Sequence, residues 1–232
     1  MPSKTSAEPR SRRARNSLTM DAILDAAEQV AATGFEALTV RAVAVALEAA
    51  PMSLYRYFAT KDELVDALLN RVLGRFIPPP ETADWGADLA AFARNHRRLL
   101  REHPWAITPL IGHPYPGANA LPIGEAALRI LERAGITGDA AVAAFSGIVA
   151  LNYGWSSFVL AREAAEAPSG GGPVQLPPAP PEFPLTVAAA GPMSRYGSEE
   201  HYERTLRQLL AGIAADSHCV AGRSEDELGR KG

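Results

Sequence analysis

The sequence is poor in cysteine, with Cys219 the single one among 232 residues. One cysteine cannot close a disulfide within the chain, and it cannot build a cysteine-rich zinc module. This excludes the class of small secreted proteins that disulfides hold together. The composition is typical of a protein that works in a reducing compartment, and we expect a cytoplasmic location.

Long hydrophobic runs and an apolar leader are also missing. Residues 1–17 are polar, unlike the hydrophobic stretch of a secretory signal. No window approaches the roughly 20 apolar residues that a membrane-spanning helix needs. We therefore expect no membrane partner.

An excess of positive charge is absent as well. Lysine and arginine number 23 against 26 aspartate and glutamate residues, for a net charge of -3. Because affinity for nucleic acid depends on neutralising phosphates, any such binding must come from a local basic patch. The arm 1–16, with Arg10, Arg12, Arg13 and Arg15, is either a solvated flexible tail or a segment that follows the DNA backbone.

Motifs for catalysis or metal binding are lacking too. The chain has no nucleophile motif, no glycine-rich phosphate loop and no closely spaced set of carboxylates or histidines. His96 and His103 share a helical face, but the intervening helix puts them about 10 Å apart, too far for one metal ion. The sequence predicts no catalytic residue, no metal and no cofactor. An enzyme site around His96, His103 and Tyr115 stays open as an alternative.

The most informative stretch spans residues 38–64, LTVRAVAVALEAAPMSLYRYFATKDEL. Thr39 precedes apolar residues at helical spacing, so its hydroxyl can cap a helix of about two turns. Pro51 suits the first position of the next helix. In that helix Leu54 and Phe58 are expected to pack inward and leave polar and aromatic residues exposed. The pattern predicts either a helix-turn-helix, whose second helix enters the major groove of DNA, or an ordinary helical hairpin.

The segments LTVR (38–41) and LYRYF (54–58), with Lys61, resemble the DNA-binding domain of the TetR (tetracycline-repressor) family of transcription regulators. The resemblance covers about residues 19–72. That family usually has glycine where this chain has Glu48, which would be strained if the position requires a positive φ. It also usually has a polar cap in place of Ala50. The resemblance implies that several residues touch DNA, mostly its phosphates: Thr39, Arg41, Ser53, Tyr55, Tyr57 and Lys61.

The candidate DNA-binding set surrounds the second helix of this pair. Arg41 and Arg56 can bind guanine edges or phosphates, whereas the hydroxyl-bearing residues and Lys61 mainly fix the position of the protein on the DNA backbone. The full predicted set is Thr39, Arg41, Pro51, Met52, Ser53, Tyr55, Arg56, Tyr57 and Lys61.

The pattern predicts an all-α fold, with an N-terminal three-helix helix-turn-helix domain (17–62) and a larger helical domain for ligand binding and dimerisation (63–216). The helix expected over 140–165 is apolar nearly all round, which indicates burial against a second subunit. The segment 167–197 is rich in glycine and proline, and we expect a flexible loop without helix there. The tail 217–232 is expected to be disordered.

Candidate ligand-binding residues lie on the helices of the larger domain, except Tyr115, which lies in a segment rich in glycine and proline and is either a rim residue of a pocket or part of a surface loop. The resemblance implies that a small molecule binds there and changes the spacing of two DNA-reading helices. His96 and Asn152 are each either a hydrogen-bonded core residue or a ligand contact. The predicted lining is mostly apolar, as suits an apolar or aromatic organic effector: Phe92, His96, Trp105, Leu110, Tyr115, Asn152 and Trp155.

These inferences predict a homodimeric, sequence-specific DNA-binding regulator, a repressor that a small organic effector releases from a palindromic double-stranded operator. A constitutive DNA-binding protein, whose aromatic residues form only core, is a further alternative. An unfilled apolar cavity of roughly a few hundred Å³ in the larger domain favours the effector-responsive protein, and a solid core favours the constitutive one.

Overall fold

The computed structural model of the protein describes residues 18–113, 115–166 and 179–229. For 165–166 and 217–229 only the backbone is described, and the arm 1–16 and the loop segment 167–178 lie outside the described residues. Within the described ranges the regular structure is helical and includes no strand, which confirms the all-α prediction. The helices are α1 Met20–Ala32, α2 Val40–Ala46, α3 Pro51–Leu54, α4 Lys61–Leu73, α5 Trp85–Glu102, α6 Ile107–Gly112, α7 Leu121–Arg133, α8 Gly138–Glu166, α9 Pro184–Ala188, α10 Ala190–Met193 and α11 Glu199–Gly229.

The N-terminal head consists of α1, α2 and α3, and threonine caps start its first two helices. Thr19 accepts a hydrogen bond from the Ala22 amide at 3.2 Å, and Thr39 accepts one from the Ala42 amide at 3.0 Å. These caps satisfy amides that the first turn of a helix leaves without an intrahelical partner. The three helices close over a small apolar core of Ile23, Ala27, Leu38, Val43, Leu54 and Phe58.

Helix α4 joins the head to the rest of the chain. Arg71 pairs with Asp25 of α1 at 2.5 Å. Elsewhere on α4 the side-chain oxygen of Asn70 accepts the Asn119 amide at 2.9 Å, and Asn119 belongs to the larger domain. Helix α4 therefore contacts both parts of the chain. Its buried residues recur in pairs at helical spacing: Leu64, Val65, Leu68, Leu69, Val72 and Leu73.

The larger domain is built around α5, which packs against α7, α8 and α11. Asp88 of α5 is buried, pairs with Arg133 of α7 at 2.5 Å and accepts the Thr82 hydroxyl at 2.7 Å. These hydrogen bonds, that of Arg133 first, lower the pKa of Asp88 to about 2. The carboxylate is therefore ionised over the ordinary pH range and fixes α5 to α7.

Helix α8 is apolar on two sides, and the single chain covers only one of them. Its buried stripe carries Asn152 and Ser156, whereas Val142 and Phe158, which flank this stripe on its two edges, are 55% and 52% exposed. By length and composition the stretch Gly138–Ala164 could cross a membrane, with a mean hydropathy of 1.3 in its most apolar window, of which 22% is buried. The expectation that no window approaches the length and hydropathy of a membrane span was wrong. In this stretch the residues between the large apolar side chains are small and mostly uncharged. Length and composition alone do not separate a membrane span from a helix that packs against protein.

The structure departs from two further expectations. Residues 184–193 of the predicted loop form the short helices α9 and α10, because a proline such as Pro184 is accommodated in the first turn of a helix. The last helix also continues beyond residue 216, the expected end of the larger domain, since no proline interrupts 199–229. The backbone of the tail that we expected to be disordered is thus helical as far as Gly229.

Candidate nucleic-acid interface and effector core

The connection between α2 and α3 contains both departures from the family pattern. Glu48 has a φ of 52°, in the left-handed region, which costs a residue with a Cβ about 1–2 kcal/mol. Ala50 precedes Pro51 without a side-chain cap. The Ala49 amide nevertheless donates to the Ala44 carbonyl at 2.9 Å, which closes the turn through the backbone. Both departures raise the cost of the turn, and the helix pair forms all the same.

Most of the predicted DNA-binding side chains are exposed. Met52 is 74% exposed and Tyr55 is 48% exposed. Ser53 is half-buried, because its hydroxyl donates to the Ala50 carbonyl at 2.5 Å. The remaining members of the set are exposed as well. They lie at or just before the starts of α2, α3 and α4, or shortly after α3: Thr39, Arg41, Pro51, Arg56 and Lys61.

Tyr57 differs from the other members of this set. Its side chain is half-buried, and its hydroxyl donates to the carbonyl of Leu18, immediately before α1. A tyrosine hydroxyl has a single hydrogen to donate, and here that hydrogen is used inside the protein. In this arrangement Tyr57 positions the reading helix and offers no donor to DNA. From the sequence we expected Tyr57 to be exposed. Its hydrogen-bond partner Leu18 lies 39 residues away, and local spacing does not reveal it.

The start of α4 contains a capping box that our sequence analysis missed. Thr60 accepts the Glu63 amide at 3.1 Å, and the Glu63 carboxylate accepts the Ala59 amide at 2.7 Å. The signal was present as a threonine followed three residues later by glutamate. Lys61 lies within this box, with its ammonium 5.2 Å from the centre of the Phe35 ring, a cation–π distance. These contacts fix where Lys61 stands beside α3.

In the larger domain, His96 and Asn152 meet in a buried polar cluster. The Asn152 amide donates to the Ala93 carbonyl at 2.9 Å and lies 3.0 Å from Nδ1 of His96. The Tyr202 hydroxyl donates to the side-chain oxygen of Asn152 at 2.8 Å. In the sequence Tyr202 appears only as part of an apolar stripe, because helical spacing does not reveal a hydroxyl's partner on another helix. Asn152 is a hydrogen-bonded core residue in this structure.

The environment of His96 is aromatic and dry. Its ring is stacked with that of Phe92 at a centroid distance of 6.3 Å and lies 5.8 Å from the Tyr153 ring. Burial lowers the pKa of His96 to about 4, because the charged form would lose its hydration. His96 is therefore neutral near pH 7, and a neutral imidazole can accept the Asn152 N–H at Nδ1.

The other predicted ligand residues occupy separate environments. Trp105 and Leu110 are buried, whereas Tyr115 is 59% exposed. Trp155 is half-buried and donates its Nε1–H to the Gly197 carbonyl at 3.2 Å. Two large cavities lie elsewhere: a groove of about 390 Å³ between α5 and α11, and one of about 330 Å³ between the prolines 78–80 and α7. Neither is lined by a predicted ligand residue, so neither is the predicted pocket.

His103 does not share the surroundings of His96, because it lies at the boundary with the head. Its Nε2 is 3.1 Å from a guanidinium nitrogen of Arg75, and its Nδ1 is 3.4 Å from the Glu28 carboxylate. Burial, and then the charge of Arg75, lower the pKa of His103. Among the residues that the structure describes, no three histidine, cysteine or acidic side chains stand close enough to hold a metal ion.

An exposed short helix after a tight turn, held by a capped three-helix head, defines a helix-turn-helix DNA-binding protein. Residues 23–68 match the family described as bacterial regulatory proteins, tetR family. Residues 77–217 match the tetracyclin repressor-like, C-terminal domain. The chain belongs to the TetR family, whose members are transcription regulators and not enzymes.

Curated relatives agree with this assignment. The HTH-type transcriptional repressor DrrR1 of Streptomyces coeruleorubidus is 36% identical over 163 residues, which are 69% of this chain and 60% of that protein. The chain thus spans about 60% of the length of that relative. An HTH-type transcriptional regulator of Saccharopolyspora erythraea is 33% identical over 204 residues, 85% of each chain.

Solved structures show the same fold. Apo ActR from Streptomyces coelicolor superposes with a TM-score of 0.76 at 24% identity, covering 89% of this chain and 100% of that one. ActR in complex with actinorhodin superposes with a TM-score of 0.73 at 25% identity, covering 86% and 98%. The helix-turn-helix head followed by a larger helical domain is therefore shared with these proteins.

Proposed function

We propose that the protein is a homodimeric transcriptional repressor, which binds a near-palindromic operator through two copies of α3 and leaves it when a small organic molecule binds. The observation that carries this proposal is the exposed surface of α3 and the turn after it, with Met52, Tyr55 and Arg56 open to solvent on a buried, capped head. A helix presented in this way fits the major groove. Because the function requires access to DNA, we place the protein in the cytoplasm.

The DNA contacts divide into positioning and reading. Arg56 and Arg41 bind guanine edges or phosphates, and Thr39 and Lys61 bind phosphates. Tyr57 acts through Leu18 by holding α3 in place. The arm 1–16 adds contacts to the backbone, and the head (17–62) and the larger domain (63–216) act as separate units joined by α4.

The exposed apolar side of α8 supports the dimer. A large uncovered apolar face in a protein marks an interaction site, and a second copy can cover it by pairing α8 and α11 in a four-helix bundle. A bilayer suits this helix less well, because its opposite side buries Asn152 and Ser156 against the rest of the domain. A two-fold axis through this bundle sets the reading helices about 34 Å apart.

The buried cluster around His96 and Asn152 supports an aromatic organic effector. The cluster combines aromatic rings with a few polar atoms, which is the usual composition of a small-molecule site. The hydroxyl of Ser156, one helical turn from Asn152, is buried and has no partner among the residues that the structure describes. The structure of ActR in complex with actinorhodin is consistent with a ligand site in this fold. The effector enters this region by separating α5, α8 and α11.

A second candidate function is that of a regulator without an effector. Asn152 bonds both His96 and Tyr202, and the grooves of about 390 and 330 Å³ lie elsewhere. This packing is what a constitutive DNA-binding protein requires of its core.

Footprinting on the DNA that flanks the gene of the protein tests the operator proposal. We expect two symmetric half-sites whose centres are about 34 Å apart or a multiple of that distance. Alanine at Lys61 is expected to weaken binding to all sequences alike, because a phosphate contact reads no base. A monomer by light scattering, or a protein that binds no duplex at low salt, contradicts the proposal.

Operator affinity measured with and without actinorhodin separates the two candidates. A fall in affinity supports release by an aromatic effector. An affinity that stays constant with actinorhodin and across a chemically diverse library supports the constitutive regulator.

A further inference from the structure

The groove between α5 and α11 is rich in arginine. It encloses about 390 Å³, within the usual range for small-molecule sites. No residue of the groove belongs to the predicted effector set or to the DNA-binding set. Helix α5 contributes Arg94, Arg97, Arg98, Arg101 and Glu102, and α11 contributes Glu199, Tyr202 and Glu203.

Arg97 is the buried member of this groove. Its side chain is 5% exposed, and its guanidinium carbon lies 3.7 Å from the centre of the Tyr202 ring. One terminal N–H donates to the Glu199 carboxylate at 2.6 Å. The Nε–H is buried and has no acceptor among the residues that the structure describes. A buried donor without an acceptor costs free energy, and the bond of Arg97 to Glu199 is made by the terminal nitrogen at the groove.

Glu199 occupies the place that an anionic ligand could take. Its side chain is 59% exposed, and its two oxygens lie 2.6 Å from Arg97 and 3.8 Å from Arg101. Since the side chain is more than half exposed, it can turn into solvent without unfolding α11. A carboxylate that replaced it could accept the terminal N–H of Arg97 that Glu199 now accepts, with Arg101 beside it.

Glu203 is held more firmly than Glu199. Arg94 donates to its two oxygens at 2.9 and 2.7 Å, so this pair is bidentate. Arg98, by contrast, has only a 3.9 Å contact with Glu102. Loosely held positive charge is therefore concentrated at Arg98 and Arg101, beside the Arg97–Glu199 pair.

We infer that this groove binds a small organic anion, whose carboxylate displaces Glu199 from Arg97 and is held in addition by Arg101. A carboxylate is the favoured group because the groove already accommodates one at this position. The inference goes beyond the proposed function and does not rest on it. The Tyr202 ring connects the groove to the buried cluster, because its hydroxyl bonds Asn152.

Calorimetric titration of the full chain with phthalate tests this site. Phthalate is expected to bind, and phthalamide, its neutral counterpart, is not. Glu199→Gln is expected to tighten phthalate binding about tenfold, because Arg97 loses its competing carboxylate. Glu200→Gln is the matched control: the side chain lies on the same turn, is 57% exposed and pairs with Arg195 at 3.0 Å outside the groove. Its effect is expected to stay within about twofold, since an exposed charge outside the groove is screened.

A second variant and a second readout guard against misfolding. Arg101→Gln changes a side chain that is 62% exposed, so the protein is expected to fold and to bind phthalate more weakly. Phthalate is also expected to raise the Tm of Glu199→Gln more than that of Glu200→Gln, because a ligand stabilises the state that it binds.

Three results overturn the assignment. One is that phthalate binds neither the wild type nor Glu199→Gln, and another is that both glutamate variants tighten binding equally. The third is that inorganic phosphate binds more tightly than phthalate. Because the titration contains no DNA, these failures are distinct from any failure of the repressor proposal.

Discussion

The N-terminal head and the larger domain present their polar side chains in opposite ways. In the head, Arg41, Arg56 and Lys61 are exposed. In the larger domain, His96 and Asn152 are buried and hydrogen-bonded, although we also predicted them as binding residues. Exposed polar groups remain available to a partner, whereas buried ones must satisfy each other. Changes in the head should therefore affect DNA binding, and changes in the buried cluster should affect stability.

Truncation of Phe92 should have the largest effect. Its ring is fully buried and lies 5.4 Å from the Phe76 ring. We expect Phe92→Ala to lower the free energy of unfolding by about 3–5 kcal/mol, measured by urea denaturation. Tyr115→Ala is the matched control from the same predicted set; being 59% exposed, it should change stability by less than about 0.5 kcal/mol. Similar values for both variants would break the comparison, since Phe92 would then line open space.

Acid should destabilise the larger domain through His96. Its pKa falls from 6.5 to about 4 in the folded protein because of burial. Stability is therefore complete above pH 6.5 and is lost as the pH falls towards 4, because only the unfolded chain takes up the proton in that window. The loss should amount to about 3 kcal/mol. His96→Leu should remove this loss from the plot of unfolding free energy against pH. Parallel plots for the wild type and the variant would mean that His96 is hydrated in the folded protein.

Arg56 tests the other half of the comparison, the exposed polar side chains of the head. Arg56→Ala should cost about 1–3 kcal/mol of operator affinity, measured by fluorescence anisotropy, because an exposed guanidinium contact to DNA is lost. Its stability should change by less than about 0.5 kcal/mol. Arg129→Ala on α7, 63% exposed and paired with Glu125, should leave both quantities unchanged. A destabilised Arg56→Ala protein would mean that the head also depends on its surface residues.

Glu48 should show the smallest effect. Glycine adopts a positive φ without the steric cost that a Cβ imposes, so Glu48→Gly should raise the free energy of unfolding by about 1 kcal/mol. Glu48→Ala keeps the Cβ and should give no such gain. Equal thermal shifts for the two variants would show that the turn is not strained by its φ.

Local signals in the sequence predicted the head well. A threonine before an apolar stripe and a proline at a first helical position led to α2 and α3, because caps and proline geometry act within one turn of chain. Long-range contacts were out of reach: Tyr57 bonds Leu18, and Arg97 stacks on Tyr202. Nothing in the spacing of either residue names its partner.

The predicted effector pocket shows the same limit, that spacing along the sequence does not reveal contacts between helices. We grouped Phe92, Tyr115 and Asn152 by residue type, yet they differ from fully buried to mostly exposed. Periodicity orders residues around one helix and says nothing of how far apart two helices pack. Whether aromatic faces enclose a cavity or fill a core depends on that distance.

The amino-acid sequence by itself determined the helices of the head, the turn before Pro51 and the family, because each depends on neighbours in the chain. Only the tertiary structure decided that Asn152 is satisfied by Tyr202, that Tyr57 secures α3, and that arginines of α5 line a groove with α11. Those outcomes arise from the packing of helices that are distant in sequence, where burial decides whether a polar side chain is bound internally or left for a ligand.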